Sequence, residues 1–367
     1  MNELIENRSF LTGQIITYLG NKRSLLDFIE KGINIAKSDL KKEKLSCIDL
    51  FSGSGIVARF LKAHSNFLVA NDLELYSKII NECYLTNIND NLTKEINATF
   101  KTLNQSIKSN FKPGFISELY APKDDKNITQ NERVFYTKFN ANFIDTARCE
   151  IAKLDENMQK FFLAPLLYLA SNHTNTSGVF KGFYKDKNGT GKFGGSGENA
   201  LKRICAKMEI IKPIFSSFNC VFNVYQKDAN NLAKEVDNVD LCYIDPPYNL
   251  HPYGSNYFML NLIAKYEKPS EISKISGIPT DWNRSAYNKK NSAKEAFLDL
   301  IEHIKAKFIL VSYNNEGIIS KDEFFDILSK FGKTEMIQKD YNAFRGSRNL
   351  KNRNIHVKEN LYILKKQ

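Results

Sequence analysis

Residues Cys47 to Ala58, CIDLFSGSGIVA, decide the fold. Cys47–Leu50 is an apolar run with the reach of a buried strand. Phe51–Ala58 then turns through two glycines into a helix pattern carried by Ile56, Val57, Phe60 and Leu61. Gly53 and Gly55 let the backbone turn tightly and approach a ligand, and the helix N-terminus beyond them offers free N–H groups to a negative group. The G-x-G-x-x-A spacing fits a dinucleotide-binding fingerprint, and Asp72 follows about 20 residues on, where a ribose-binding acid is expected. The pattern suits NAD and other adenosine-containing cofactors equally, and taken alone it also suits a purely structural turn.

Outward from that turn, the chain alternates. A helix pattern runs from Lys22 to about Ala36 with Leu25, Leu26, Ile29, Ile33 and Ala36 on one face. A second strand, Phe67–Ala70, ends at Asn71-Asp72, and another helix pattern follows to about Leu85. Strand–helix–strand–helix is the signature of a parallel α/β sheet. Between about 89 and 214 the alternation stops; the sequence is mixed and polar and includes the glycine-rich NGTGKFGGSG, Asn188–Gly197. Strand signals return at Val221–Tyr225 and Leu241–Ile244. After them come a helix near 293–305, a strand at Phe308–Val311, a helix near 321–331, and strands around Thr334–Tyr341 and His356–Leu364. The simplest organisation is one α/β domain, residues 1–88 and 215–367, interrupted by an inserted domain at 89–214.

Charge is lopsided and localised. The 367 residues carry 52 Lys and Arg against 41 Asp and Glu, a formal net of +11. Residues 171–214 hold eight basic and three acidic side chains, and residues 331–367 hold nine and three, so these two zones account for the whole excess. Two basic zones favour a footprint on a polyanion over an evenly solvated surface. Cys47, Cys83, Cys149, Cys205, Cys220 and Cys242 are scattered, with no C-x-x-C pair, which reads as reduced core residues of a cytoplasmic protein. No metal-ligand cluster, signal-peptide design or membrane-length apolar run is visible.

A second stretch, LCYIDPPYNL from Leu241 to Leu250, ends a buried strand on an acid, two prolines and a tyrosine. The prolines remove backbone donors and fix an extended turn. Asp245 then sits at the carboxyl end of a strand, where open α/β sheets bind ligands. The string alone leaves an ordinary turn equally open. YLGNK, Tyr18–Lys22, precedes the first helix and places a lysine beside an aromatic ring.

Together, YLGNK, FSGSG and DPPY, in that order and with an insertion before DPPY, resemble the Dam-like, alpha-group DNA adenine-N6 methyltransferases. The resemblance covers about 1–88 and 215–367, and DPPY is its most specific element. It implies a Rossmann-like S-adenosylmethionine-dependent methyltransferase sheet with an inserted target-recognition domain. It further implies that Tyr18, Lys22, Phe51, Ser52, Gly53, Gly55, Asp72 and Asp228 hold S-adenosylmethionine, and that Asp245, Pro246, Pro247 and Tyr248 act on the base. SYNNEG (Ser312–Gly317) and FRGSRNLKNR (Phe344–Arg353) match later family motifs. YLGNK departs from the commoner aromatic-Ala-Gly-Gly-Lys form, which makes Lys22 a firmer carry-over than Asn21.

The chemistry fits those residue types. The exocyclic amine of adenine is a poor nucleophile because its lone pair is delocalised into the ring. Two acceptors, the Asp245 carboxylate and the Pro246 carbonyl, would draw on its N–H groups, and proline offers a carbonyl without a competing N–H. Tyr248 would stack on the base and fix its angle to the methyl donor. A stacked adenine must first be flipped out of the duplex, into a pocket for which HPYGSNYF (His251–Phe258) and YNAF (Tyr341–Phe344) are candidate linings. Lys181, Lys185, Lys187 and Lys192, with Arg345, Arg348, Lys351 and Arg353, are the candidate phosphate contacts on double-stranded DNA. The expectation is a monomeric, site-specific DNA adenine-N6 methyltransferase without a fused nuclease, serving either restriction–modification, with a separate restriction endonuclease as its partner, or epigenetic marking. Methylation of RNA or of a protein amide, and a catalytically silent DNA-binding module, are the alternatives.

Overall fold

Each apolar run flanking the glycine turn becomes a strand of one seven-stranded sheet. In the computed structural model the described residues are 5–195, 197–198, 200–342 and 356–367, less the side chains of Asn342 and His356. The strands are β1 (Leu45–Asp49), β2 (Ser65–Asp72), β3 (Val221–Gln226), β4 (Val239–Ile244), β5 (Ala306–Asn314), β6 (Gly332–Asn342) and β7 (His356–Lys366). They lie in the order β3-β2-β1-β4-β5-β7-β6. β1 to β5 pair parallel, and β7 enters antiparallel between β5 and β6. The order turns back between β1 and β4, so the switch point, beside which open α/β sheets bind ligands, lies at their carboxyl ends.

Both faces of the sheet are covered, which explains why β4, buried at all six positions, reads as an unbroken apolar run. Cys47, Leu241 and Tyr243 pack under the helices Leu26–Leu40 and Ile56–His64. Their neighbours Ile48, Cys242 and Ile244 pack against Ala229–Glu235, Ala293–His303 and Lys321–Leu328 on the opposite face. The α/β class expected from the alternation is the architecture observed. Its boundaries shift by a few residues: a short helix, Arg8–Thr12, precedes the pattern, and the helix expected from Lys22 opens as a 3-10 turn at Arg23–Leu25 and runs on to Leu40.

The 89–214 stretch is largely helical. Asp90–Ser109, Phe115–Tyr120, Lys138–Ile151 and Glu156–Asn172 build a third core together with Leu75–Tyr84 and Phe258–Lys265. Asp90–Ser109 carries a helical apolar stripe, Leu92, Ile96, Phe100, Leu103 and Ile107, whereas Glu156–Asn172 is buried on most faces and carries Pro165. The buried Arg59, on the Ile56–His64 helix, ties the N-terminal segment to the sheet. Its guanidinium donates to the carbonyls of Phe10, Gly13 and Gln14 and lies 3.6 Å from the Tyr84 ring centroid. All six cysteines are free; four are buried, Cys149 is half-buried and Cys205 is exposed. Among the described residues no helix is long and apolar enough to cross a membrane.

Candidate active site

The glycine turn closes because its two glycines adopt conformations that L side chains rarely take. Gly53 has φ +48° and Gly55 φ +77°. A Cβ on Gly53 would come within 2.7 Å of the Tyr18 ring, so the missing side chain keeps a cleft open. Gly55 lies behind the cleft, not in its lining; its bare Cα makes room for Asn81, whose amide donates to the Ser52 hydroxyl at 3.0 Å. Ser52 in turn donates to the Asn71 carbonyl, and Asn71 bonds Leu50 and Lys227. The ends of β1, β2 and β3 are thereby knotted together.

The cleft, about 840 Å³, lies over the carboxyl ends of β1, β2 and β4. Tyr18, Lys22, Phe51, Ser52, Gly53, Asp72, Asp228, Asp245 and Pro247 all line it. Asp72 accepts from the N–H of Gly53 at 2.8 Å and of Glu74 at 2.9 Å, fixing the turn. Burial pushes its carboxyl up to about 6, against those backbone bonds. Asp228 caps the helix Ala229–Glu235 through the N–H groups of Asn230 and Asn231. Asp49 is fully buried, and neither carboxyl oxygen has a hydrogen-bond partner. Burial, then the charges of Asp245 and Asp72, hold it well above the usual carboxylate range. The nearby Phe51 and Ala58 N–H groups oppose that shift without reaching hydrogen-bond geometry.

At the end of β4, Asp245 meets Lys22. The Lys22 ammonium lies 2.9 Å from Asp245 Oδ1, 3.4 Å from Glu359 Oε1 and 3.2 Å from the Gly20 carbonyl. Burial alone would lower the lysine's pKa; Asp245 and Glu359 outweigh it and keep the ammonium firmly charged. Asp245 itself is raised to about 6 by burial, with Lys22 opposing and Glu359 adding to the shift. The turn beyond is pinned: Ile318 N–H donates to the Tyr248 carbonyl and the Asn288 amide to that of Asn249. Pro246 is buried in that turn.

Tyr248, three residues beyond Asp245, is not among the residues that line the cleft. It packs edge-on to Tyr313 of SYNNEG, and the Lys22 ammonium lies 5.8 Å from its ring centroid. Gly20, at φ +75°, leaves room for Tyr248; a Cβ there would sit 2.8 Å from its hydroxyl. A second cavity of about 870 Å³ opens here, lined by Tyr248, Gly20, Asn21, Arg23, Thr17 and Tyr341 among others. The two cavities share Tyr18, Gly20 and Asn21. Of HPYGSNYF, Tyr253 lines the cleft, stacked on Tyr18 at 4.9 Å, whereas Tyr257 and Phe258 are core residues.

Among the basic candidates, Lys185, Lys187 and Lys192 lie on or beside a short hairpin closed by the Lys185–Gly191 bridge. Asp186 ties its tip through the N–H groups of Asn188 and Thr190, and the buried Asn175 binds its base through the Lys192 carbonyl and the Gly194 N–H. Lys181 reaches His251 beside the DPPY turn at 3.5 Å. Arg345, Arg348, Lys351 and Arg353 lie outside the described residues. Several residues of the site carried no signal of their own in the sequence. Glu74, held by Asn261 and Asn283, lines the cleft, as do Ser285, Tyr287 and Asn288 from a loop with no motif. Asp49 was the legible omission, an acid closing an apolar strand just before the glycine turn.

Comparison with known proteins is consistent with this geometry. The model of the D12 class N6 adenine-specific DNA methyltransferases matches residues 18–327. The type II methyltransferase M.NlaIII of Neisseria lactamica is 31% identical over 96% of the chain and 99% of its own length. M.CviAII of Paramecium bursaria Chlorella virus 1, also a type II methyltransferase, is 30% identical over 90% and 93%. The modification methylase LlaI of Lactococcus lactis is 31% identical over 89% of the chain, which spans 51% of that larger protein. With the match running from the YLGNK segment through DPPY to the helix after SYNNEG, the chain belongs to the D12 class of N6 adenine-specific DNA methyltransferases.

Proposed function

We propose that the chain takes its methyl group from S-adenosylmethionine bound in the cleft at the glycine turn and delivers it to an adenine flipped into the cavity beside Tyr248. The reading rests on one observation above all: the paired Asp245 and Lys22 line the cleft, and Tyr248, its ring centroid 5.8 Å from the Lys22 ammonium, lines a second cavity that shares Tyr18, Gly20 and Asn21 with it. The cleft fits such a cofactor. A glycine turn keeps it open at Gly53, Asp72 and Asp228 offer carboxylates for hydroxyl and amine donors, and Asp49 offers an unpaired acid to a cationic group. When bound, S-adenosylmethionine supplies an electrophilic methyl on a positively charged sulfur.

The chain's own residues do the rest. Above about pH 6 Asp245 is a carboxylate and accepts one adenine N6–H, while the Pro246 carbonyl takes the other. Tyr248 holds the base at the angle the transfer needs. The proton given up by N6 leaves to Asp245 or to water. Extruding the base costs a few kcal/mol, offset by phosphate contacts from Lys181, Lys185, Lys187 and Lys192, with Arg345, Arg348, Lys351 and Arg353 completing the footprint. Residues 89–214 serve target recognition in this reading. The names of the relatives, type II methyltransferases and modification methylases, support a place in a restriction–modification system, with a separate endonuclease and a monomeric, cytoplasmic enzyme. Incubation with tritiated S-adenosylmethionine and methyl-free genomic DNA, followed by nucleoside analysis and single-molecule sequencing, tests it. N6-methyladenine in a fixed motif is expected, and no label in DNA would overturn the reading.

A further inference from the structure

Glu359 is a charged residue in an unexpected place. It lies on β7 between Val357 and Leu361, is 1% exposed, and has no solvent to offset its charge. Taking a carboxylate out of water costs several kcal/mol even after relaxation. Its Oε1 accepts from the Ser312 hydroxyl at 2.5 Å and lies 3.4 Å from the Lys22 ammonium, while its buried Oε2 has no partner. No sequence motif marks it, and β7 brings it to the site only because that strand inserts antiparallel beside β5, with Glu359 opposite Asn314.

We infer that Glu359 is a positioning residue for methyl transfer, acting through Lys22. An ammonium has three N–H donors, and Lys22 finds three acceptors: Asp245 Oδ1, Glu359 Oε1 and the Gly20 carbonyl. Glu359 takes one donor, so Lys22 aims Asp245 through one oxygen and leaves the other free to accept the adenine N–H. Without Glu359 the ammonium turns wholly toward Asp245, chelates it and weakens it as an acceptor. The inference rests on the proposed role of Asp245. The other titratable groups facing the pair are Tyr243 and Tyr248 from β4 and its turn, Asp49 from β1, Tyr313 from β5, Tyr341 from β6 and Tyr253 beyond the turn.

The test compares wild type, Glu359→Gln and Glu359→Asp in tritiated-methyl transfer across pH 5–9, with rates expressed per cofactor-binding site. The amide is isosteric and its Oε1 still accepts from Ser312, so it preserves the packing and removes only the negative charge that draws Lys22 away from Asp245. Glu359→Gln is expected to lower kcat about 10- to 100-fold, the cost of misaiming a reacting group, with little change in KM for DNA or cofactor. Because a nearby negative charge is gone, the acid limb of kcat should also move to lower pH. Glu359→Asp restores the charge and should return the limb to its wild-type position with intermediate kcat. Wild-type kcat in the Gln variant, a fall in kcat with an unmoved limb, or a Gln-like limb in the Asp variant would each overturn the inference. A wild-type enzyme that places no methyl on adenine would instead overturn the reading of Asp245.

Discussion

Asp49 makes an opposed pair of expectations that a single substitution can test. Its carboxyl is fully buried with both oxygens unpartnered, and it faces Asp72 and Asp245 across the cleft. Its folded-state pKa is raised, so between the ordinary carboxylate value of 3.8 and that raised value the folded chain holds a proton that the unfolded chain has released. Stability from this group is therefore greatest in acid and is lost as pH rises through that window, at a slope of at most one proton, about 1.4 kcal/mol per pH unit. Asp49→Asn removes the titration. The variant should match wild type near pH 4 and exceed it at pH 7–8. The gain is about 1–3 kcal/mol, the desolvation of one unmet polar group, or about 1–4 °C in Tm for a chain of 367 residues. Denaturant unfolding of the free enzyme at several pH values measures the gap. Calorimetric titration should show the same variant binding S-adenosylmethionine about tenfold more weakly, since a cationic group loses its counter-charge. A variant no more stable than wild type at pH 8, or a gap that does not grow with pH, would refute the reasoning.

Asp245→Ala should abolish methyl transfer, by at least about 10³-fold on the scale of positioned acid–base groups, while cofactor and DNA binding remain measurable by titration. Retained turnover would remove Asp245 from the chemistry. Gly53→Ala must place a side chain at φ +48° and within 2.7 Å of Tyr18. The left-handed backbone costs about 1–2 kcal/mol, so with the displaced ring we expect about 10- to 100-fold weaker cofactor binding by calorimetry, and wild-type affinity would count against the cleft. Charge reversal at Arg345 and Arg348 should weaken DNA binding and flatten its dependence on salt by about one unit of slope for each phosphate no longer neutralised. An unchanged slope in a filter-binding series would take those residues out of the footprint.

The sheet was legible because its signals are local. Glycines that must adopt positive φ at 53 and 55 announce a strand-to-helix turn, and a strand buried on both faces reads as the apolar run Leu241–Ile244 whatever its neighbours. Of the helices of 89–214, Asp90–Ser109 bears a periodic apolar stripe, whereas Glu156–Asn172 was not legible because its stability is tertiary. Glu156–Asn172 has no polar stripe to set a period, and its partners, Leu75–Tyr84 and Phe258–Lys265, lie far away in sequence. The site divides in the same way. Tyr18, Lys22, Phe51, Ser52, Gly53, Asp72, Asp228 and Asp245 sit in strings whose residue types already imply their work, and they converge on one cleft. Glu74, Asn283 and Glu359 have ordinary neighbours in sequence and gain meaning only from what β2, the 281–288 loop and β7 bring together.

The distribution of charge supplies the last step. Of the seven charged side chains lining the cleft, Lys22, Asp49, Asp72, Glu74, Lys227, Asp228 and Asp245, five are acidic, although the chain as a whole is basic by +11. Burial raises Asp49, Asp72, Glu74 and Asp245 above the ordinary carboxylate range, Glu74 to about 7, so gathering them around one cleft carries an electrostatic cost near neutral pH. A cationic methyl donor relieves that cost on entering, whereas a polyanion is repelled from the same space. In the proposed reading the basic side chains of the 171–214 zone, of which Lys181 lies 3.5 Å from His251 near the DPPY turn, draw the phosphodiester backbone instead. In that reading, opposite fields keep the methyl donor and the phosphodiester backbone apart. The flipped base of the proposed mechanism, which carries no phosphate charge itself, is then the part of the DNA suited to cross between them.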